Sequence, residues 1–152
     1  MAELGPDPLR PDADEGRGWR RIQRASRPVA ALLMDQTILS GVGNVYRAEV
    51  LFRQRVNPHR PGRDLSRRSW LGIWSDLVEL MPQGVLDNRI DTVRPEHTPE
   101  AMGRPPRKDD HGGEVYAYRR AGMPCWVCGG KIRTEVLAGR NLFWCARCQR
   151  RG

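Results

Sequence analysis

Four cysteines constrain what this chain can fold into more than any other feature. Cys125 and Cys128 form one Cys-x2-Cys pair, sixteen residues follow, and Cys145 and Cys148 form a second. Each pair can sit on a tight knuckle with both sulfurs aimed at one point. Two knuckles then supply the four thiolates of a closed tetrahedral zinc site. Between them Ile132, Thr134 and Val136 alternate with Arg133 and Glu135, as in a strand. Ala138-Gly139-Arg140-Asn141 reads as a turn and Leu142-Phe143-Trp144 as the returning strand. The spacing predicts a small zinc-ribbon β-hairpin, placed at 115–152. Two disulfides or an iron–sulfur cluster are the rival uses of the same sulfurs. A reducing compartment disfavours the first, and four cysteines at hairpin spacing more often take zinc. With four sulfurs bound, the ion has no open coordination position, so one structural zinc is expected rather than a catalytic one.

The rest of the chain reads as helical. At 152 residues it allows one domain, or two small ones sharing a core. Residues 1–15 are rich in Pro and Asp, carry no hydrophobic period, and read as a linker or arm. A helix is expected over 16–26. Trp19, Ile22 and Ala25 lie on one side of it, and Arg17, Arg20, Arg21 and Arg24 on another, with Arg27 just beyond. That stripe is either a solvated face or a surface that meets something negative. Pro28 suits a helix first turn, with Val29, Leu32 and Leu33 as a short apolar face. A further helix is expected from 43 to 55, burying Val45, Ala48, Leu51 and Phe52. Ser66 is a candidate N-cap, preceded by Leu65. The helix after it carries Trp70, Ile73, Trp74, Leu77, Val78 and Met81 as a core stripe. Residues 91–113 mix four prolines with charge and read as a long loop. His97 and His111 fall there, the latter beside Asp109 and Asp110. They are read as solvated loop residues, with a metal site as the alternative.

Charge points toward a polyanion. Lys+Arg number 26 against 18 Asp+Glu, a formal net charge of +8. Only Lys108 and Lys131 are lysines, and the planar arginine fork suits phosphate better than a point charge does. From Cys125 onward, Lys131, Arg133, Arg140, Arg147, Arg150 and Arg151 stand against Glu135 alone. No run approaches the length of a membrane span. The first residues lack a basic start followed by an apolar core, so no secretory signal is expected and the cytoplasm is the default location.

Between the first two apolar segments runs Leu33-Met34-Asp35-Gln36-Thr37-Ile38-Leu39-Ser40-Gly41-Val42-Gly43-Asn44-Val45-Tyr46-Arg47-Ala48-Glu49. Gly41 and Gly43 permit positive φ in a tight reversal. The amides after Gly43 would open a helix, where unpaired N–H groups and the dipole favour an anion such as phosphate. This stretch resembles the helix–two-turn–helix motif of the formamidopyrimidine-DNA glycosylase / endonuclease VIII family, which also ends in a four-cysteine zinc finger. Leu4-Gly5-Pro6-Asp7-Pro8-Leu9 resembles that family's interdomain connector. Leu33-Met34-Asp35-Gln36, Tyr46-Arg47-Ala48-Glu49 and the absence of a lysine near Ala30 look closer to endonuclease VIII.

The resemblance implies a mostly α chain: a helix–two-turn–helix domain over 16–114, with a loop at about 91–113, followed by the finger. It implies damaged double-stranded DNA as partner, with Gly43, Asn44, Arg140 and Arg147 as DNA-binding residues and no small-molecule cofactor. A nucleoid-associated location follows. In the family, the amine of an N-terminal proline followed by glutamate attacks C1′ of the damaged nucleotide, and a Schiff base drives strand elimination. This chain reads Met1-Ala2-Glu3, so no catalytic role transfers. The resemblance covers the C-terminal half of a bifunctional DNA glycosylase/AP lyase without its catalytic N-terminal domain, and no incision by the chain alone is expected. The alternative is a non-catalytic, zinc-dependent DNA- or RNA-binding module.

Overall fold

The computed structural model describes residues 4–108 and 113–150. Met1, Ala2 and Glu3, His111 with Asp109 and Asp110, and Arg151 lie outside the described residues. Among the described residues there are five helices, α1 Glu15–Ile22, α2 Val29–Leu32, α3 Asn44–Arg53, α4 Arg67–Asp87 and α5 Pro99–Met102, and one hairpin, β1 Arg133–Leu137 with β2 Arg140–Trp144. No helix among them is long and apolar enough to cross a membrane.

The ends of α1 show how local and tertiary signals compete. Asp14 caps its start, accepting from the Gly16 amide at 2.9 Å. The helix stops at Ile22, short of the expected 26. Beyond it the carbonyls of Ala25 and Arg27 accept from the amides of Arg63 and Gly62, at 2.8 and 3.0 Å, instead of from a continuing helix. Arg24 and Arg27 therefore leave from the turn that leads into α2. The residues before α1 also pack. The Gly5 amide donates to the Gln36 carbonyl at 2.8 Å and the Ser40 amide to the Pro6 carbonyl at 3.0 Å. A Cβ on Gly5 would fall 2.4 Å from the Ile38 backbone, so only glycine fits there.

Helix α4 begins as its cap predicts, with Ser66 Oγ accepting from the Ser69 amide at 3.0 Å, and Leu65 buried beside it. It continues through Pro82 and ends where Asn88 turns left-handed, φ 52°. Trp70, Ile73, Leu77 and Met81 are buried, but Val78, expected in the stripe, is 42% exposed. A stripe that includes Val78 is wider than the face α4 gives to the core. The stretch 91–113 is not without structure. A 3-10 turn, Pro95–His97, leads into α5, where Thr98 Oγ1 accepts from the Ala101 amide at 3.2 Å and Pro99 takes the first helical position. Thr-Pro-Glu at 98–100 is a helix-start signal that four prolines obscured.

The hairpin pairs Arg133 with Trp144, Glu135 with Leu142 and Leu137 with Arg140. Its two-residue connection, Ala138-Gly139, has φ of 56° and 74°, the double positive value a type I′ turn requires. Arg140 thus opens the return strand instead of sitting inside a four-residue turn. The register also sets which face of each strand turns inward. Val136 is 72% exposed, while Leu142 and Trp144 join Ile22, Leu32, Leu51, Trp70 and Ile73 in the main core. The face of β1 that meets the helices is the one bearing Arg133, Glu135 and Leu137. A smaller cluster of Phe52, Tyr116, Ala117, Ile132 and Phe143 closes the other side.

Charged residues on α3 tie these parts together. Glu49 is fully buried, and its carboxylate accepts from the amides of Tyr116, Ala117 and Tyr118 at 2.6, 2.9 and 2.9 Å. The Thr92 hydroxyl donates to the same carboxylate. Removing it leaves three buried amides without an acceptor, each costing about 1–3 kcal/mol. Glu49→Ala is therefore expected to lower stability by about 3 kcal/mol or more in urea denaturation, with Glu49→Gln clearly milder. A loss below about 1 kcal/mol would show that the segment 116–118 does not depend on this acceptor.

Candidate metal centre and nucleic-acid interface

The two knuckles bring all four cysteine sulfurs within 4.8 Å of one another. Cys125 and Cys148 sulfurs are 3.9 Å apart, and those of Cys128 and Cys145 are 3.5 Å apart. A Zn–S bond of about 2.3 Å places the sulfurs of a tetrahedron about 3.8 Å from each other, so the donor set fits one zinc ion. Backbone amides orient the ligands: Val127 N–H points to Cys125 Sγ and Gly130 N–H to Cys128 Sγ, each at 3.4 Å. Burial raises the Cys125 and Cys148 thiols above their ordinary range. At Cys128 burial is outweighed by hydrogen bonds from the Gly130 amide and the neighbouring sulfurs, which leaves it at about 7. Four thiolates so close together need a cation among them. The second knuckle is also anchored to the helices, since buried Gln149 accepts from the Cys145 amide at 2.8 Å and donates to the Val56 carbonyl at 3.1 Å.

At the other end of the hairpin, the turn meets the start of α3. Asn44 Nδ2 donates to the Asn141 carbonyl at 2.9 Å. Arg47, fully buried, donates to the carbonyls of Leu137 at 3.0 Å and Ala30 at 3.3 Å, and to Asn44 Oδ1. Burial, and then the like charge of Arg140, lower the Arg47 pKa from its ordinary value. Asn44 and Arg140 are therefore side by side on one surface, joined through Arg47 and Asn141. Gly43 precedes α3 in extended backbone, with φ −98° and ψ −178°; of the two glycines that permit positive φ, Gly41 uses it, at φ 84°. Among the described residues no side chain caps α3, and none comes within 4 Å of where a Cβ on Gly43 would stand. The first amides of α3 thus open onto clear space beside Asn44 and Arg140.

Arg147 is not part of that surface. It lies exposed in the second knuckle with its side chain beside Gly130, at the metal end of the hairpin. His97 bonds the Tyr116 hydroxyl through Nδ1 at 2.6 Å, and among the described residues the four cysteines are the one cluster suited to a metal. Sequence reasoning assigned no role to buried Arg47 and Glu49, because a helix pattern marks charged positions as outward. It also missed Trp126, whose ring is approached by two guanidinium groups. Arg104 and Arg120 stand 4.1 and 3.7 Å from its ring centroid and brace the first knuckle.

Because the metal closes the open end of the hairpin, chelation should loosen the strands while much of the helical signal survives. Tryptophan emission should change as Trp126 and Trp144 become solvated, and zinc should restore it. Acidification should release the metal as the thiolates protonate. Far-ultraviolet dichroism and fluorescence during chelator titration check this; an unchanged fluorescence spectrum after complete zinc removal would show that the hairpin stands without its ion.

Two family models match the chain: the formamidopyrimidine-DNA glycosylase H2TH domain over residues 4–94, and the zinc finger found in formamidopyrimidine-DNA glycosylase and isoleucyl-tRNA synthetase over residues 122–151. Endonuclease 8 1 of Mycobacterium tuberculosis is 53% identical over 98% of this chain and 54% of its own length. The formamidopyrimidine-DNA glycosylase of Geobacillus kaustophilus is 35% identical over 99% of this chain and 53% of its own. Among solved structures, the MutM protein of Thermus thermophilus superposes with a TM-score of 0.73 at 31% identity, covering 98% of this chain and 55% of that one. The chain thus spans about half the length of the curated relatives it matches. A helix–two-turn–helix stretch, a four-sulfur zinc centre and these matches agree: the chain belongs to the formamidopyrimidine-DNA glycosylase / endonuclease VIII family, of which it carries the C-terminal half.

Proposed function

We propose that this chain grips damaged double-stranded DNA, as the C-terminal half of a bifunctional DNA glycosylase/AP lyase that removes oxidised bases and nicks abasic sites. The observation that carries the reading is the pairing of an uncapped α3 start with the hairpin turn, which puts Gly43, Asn44 and Arg140 on one surface. Helix-start amides and a guanidinium fork are complementary to consecutive phosphates. Such contacts set register on a duplex and carry little sequence information, as suits an enzyme that must read damage wherever it occurs. A Lactococcus lactis formamidopyrimidine-DNA glycosylase solved with DNA containing an abasic site shares the fold, with a TM-score of 0.74 at 22% identity. Arg147, at the far end of the hairpin, contributes at most a flanking contact in this reading.

The zinc-loaded chain is expected to bind an abasic duplex with log K falling against log salt by about 0.9 per phosphate neutralised, for about four to six phosphates. Asn44→Ala and Arg140→Ala should each weaken binding about tenfold, in the range expected when a charged hydrogen bond is removed. Equal affinity in both variants removes these assignments, and tighter binding to double-stranded RNA than to abasic duplex favours the RNA-module alternative. In this reading the chain supplies grip and no nucleophile. A borohydride-trapped covalent complex with abasic DNA would contradict it.

A further inference from the structure

The arginines around α1 have no part in the surface just described, and the fold gathers them. Arg17, Arg20, Arg21 and Arg24 line one shallow cleft whose remaining wall is Thr37, and no carboxylate lines it among the described residues. Arg17 is anchored by a bond to the Leu4 carbonyl at 3.0 Å, and Arg20 reaches Asp14 only at 3.9 Å. Arg21 and Arg24 are exposed, and among the described residues neither side chain has an ion pair or hydrogen bond. The nearby acid Asp35 is already engaged: it takes Arg27 at 2.8 Å and the Thr37 amide and hydroxyl at 2.9 and 2.7 Å. Asp35 borders an adjoining cleft with Arg21 and Arg24, but its ion pair is made with Arg27.

We propose that this cleft is a second seat for the phosphate backbone of the same duplex, taking phosphates that flank those at Asn44 and Arg140. The inference rests on the DNA-binding reading above. The cleft is open and follows α1, which suits a ribbon of phosphodiesters better than a small enclosed anion. Among the described residues its charged lining is arginine, the side chain whose fork matches phosphate oxygens. Both seats stand on the one reversal between α2 and α3, with Thr37 in its first half and Gly43 and Asn44 at its end. Clustered like charges repel, and a polyanion whose charges repeat about every 1.7 Å of helix axis relieves that repulsion by displacing its own counterions.

The test compares the zinc-loaded wild-type chain with R20Q/R21Q/R24Q on abasic duplexes of about one and about three helical turns. On the longer duplex the variant's salt slope should be shallower by about 2–3, or about 0.9 for each phosphate left without its arginine. On the one-turn duplex, which lacks the flanking phosphates, the two slopes should coincide. R21Q/R24Q, whose side chains make no ion pair or hydrogen bond among the described residues, should show a drop of about 2 and serves if the triple variant is unstable. Arg10→Gln, at a residue that does not line this cleft, should leave the slope unchanged. Identical slopes on the long duplex would make the stripe a solvated face and overturn the proposal. So would an effect confined to complexes holding two duplexes per chain. Failure of the wild-type chain to bind any duplex would remove the parent reading as well, which separates the two failures.

Discussion

The structure depends on two charges buried in α3. Arg47 and Glu49 are both fully inaccessible, and desolvating such groups costs several kcal/mol each. They are tolerated because their partners are fixed in space. Arg47 reaches the carbonyls of Ala30 and Leu137, and Glu49 gathers the amides of Tyr116, Ala117 and Tyr118. Apolar burial is non-directional and would let the hairpin slide over the helices. The bonds from Arg47 to Leu137 and from Asn44 to Asn141 hold the hairpin turn at the start of α3, and the Glu49 bonds hold the segment 116–118 that precedes the finger.

The hairpin is held from both ends. A two-stranded sheet is marginal by itself in water, and here zinc ties the open end while α3 ties the turn. Gln149 adds a bond from the second knuckle to the Val56 carbonyl, and Leu142 and Trp144 sink into the helical core. The metal and the helices therefore share the work of keeping a pair of five-residue strands rigid. Rigidity would serve the proposed phosphate grip, since donors that must first be ordered lose much of their binding free energy to conformational entropy.

The charge distribution follows the same plan. Arginines that brace the fold are buried or nearly so, and are bonded to carbonyls or stacked on a ring, as Arg47, Arg104 and Arg120 are. Those around α1 and at the hairpin turn are left outward. The proposed phosphate grip would gain from this division, because phosphate contacts made by arginine are strong and indifferent to the bases.

The sequence by itself determined the metal site, the helix starts and the reversal. Each is written in local chemistry: cysteine spacing, a capping serine at Ser66, and Gly41 where the backbone needs φ 84°. It also marked Gly43, Asn44 and Arg140, although Gly43 turned out extended and Arg140 opened a strand. What only the tertiary structure decided is which face of β1 is inward, where α1 stops, and how Arg47 and Glu49 are spent. Those outcomes come from partners 17 to 90 residues away for Arg47, and 43 to 69 away for Glu49. No window of sequence contains both members of such a bond. The stop of α1 at Ile22 has a tertiary side too, because the carbonyls of Ala25 and Arg27 just beyond it accept from the distant amides of Arg63 and Gly62.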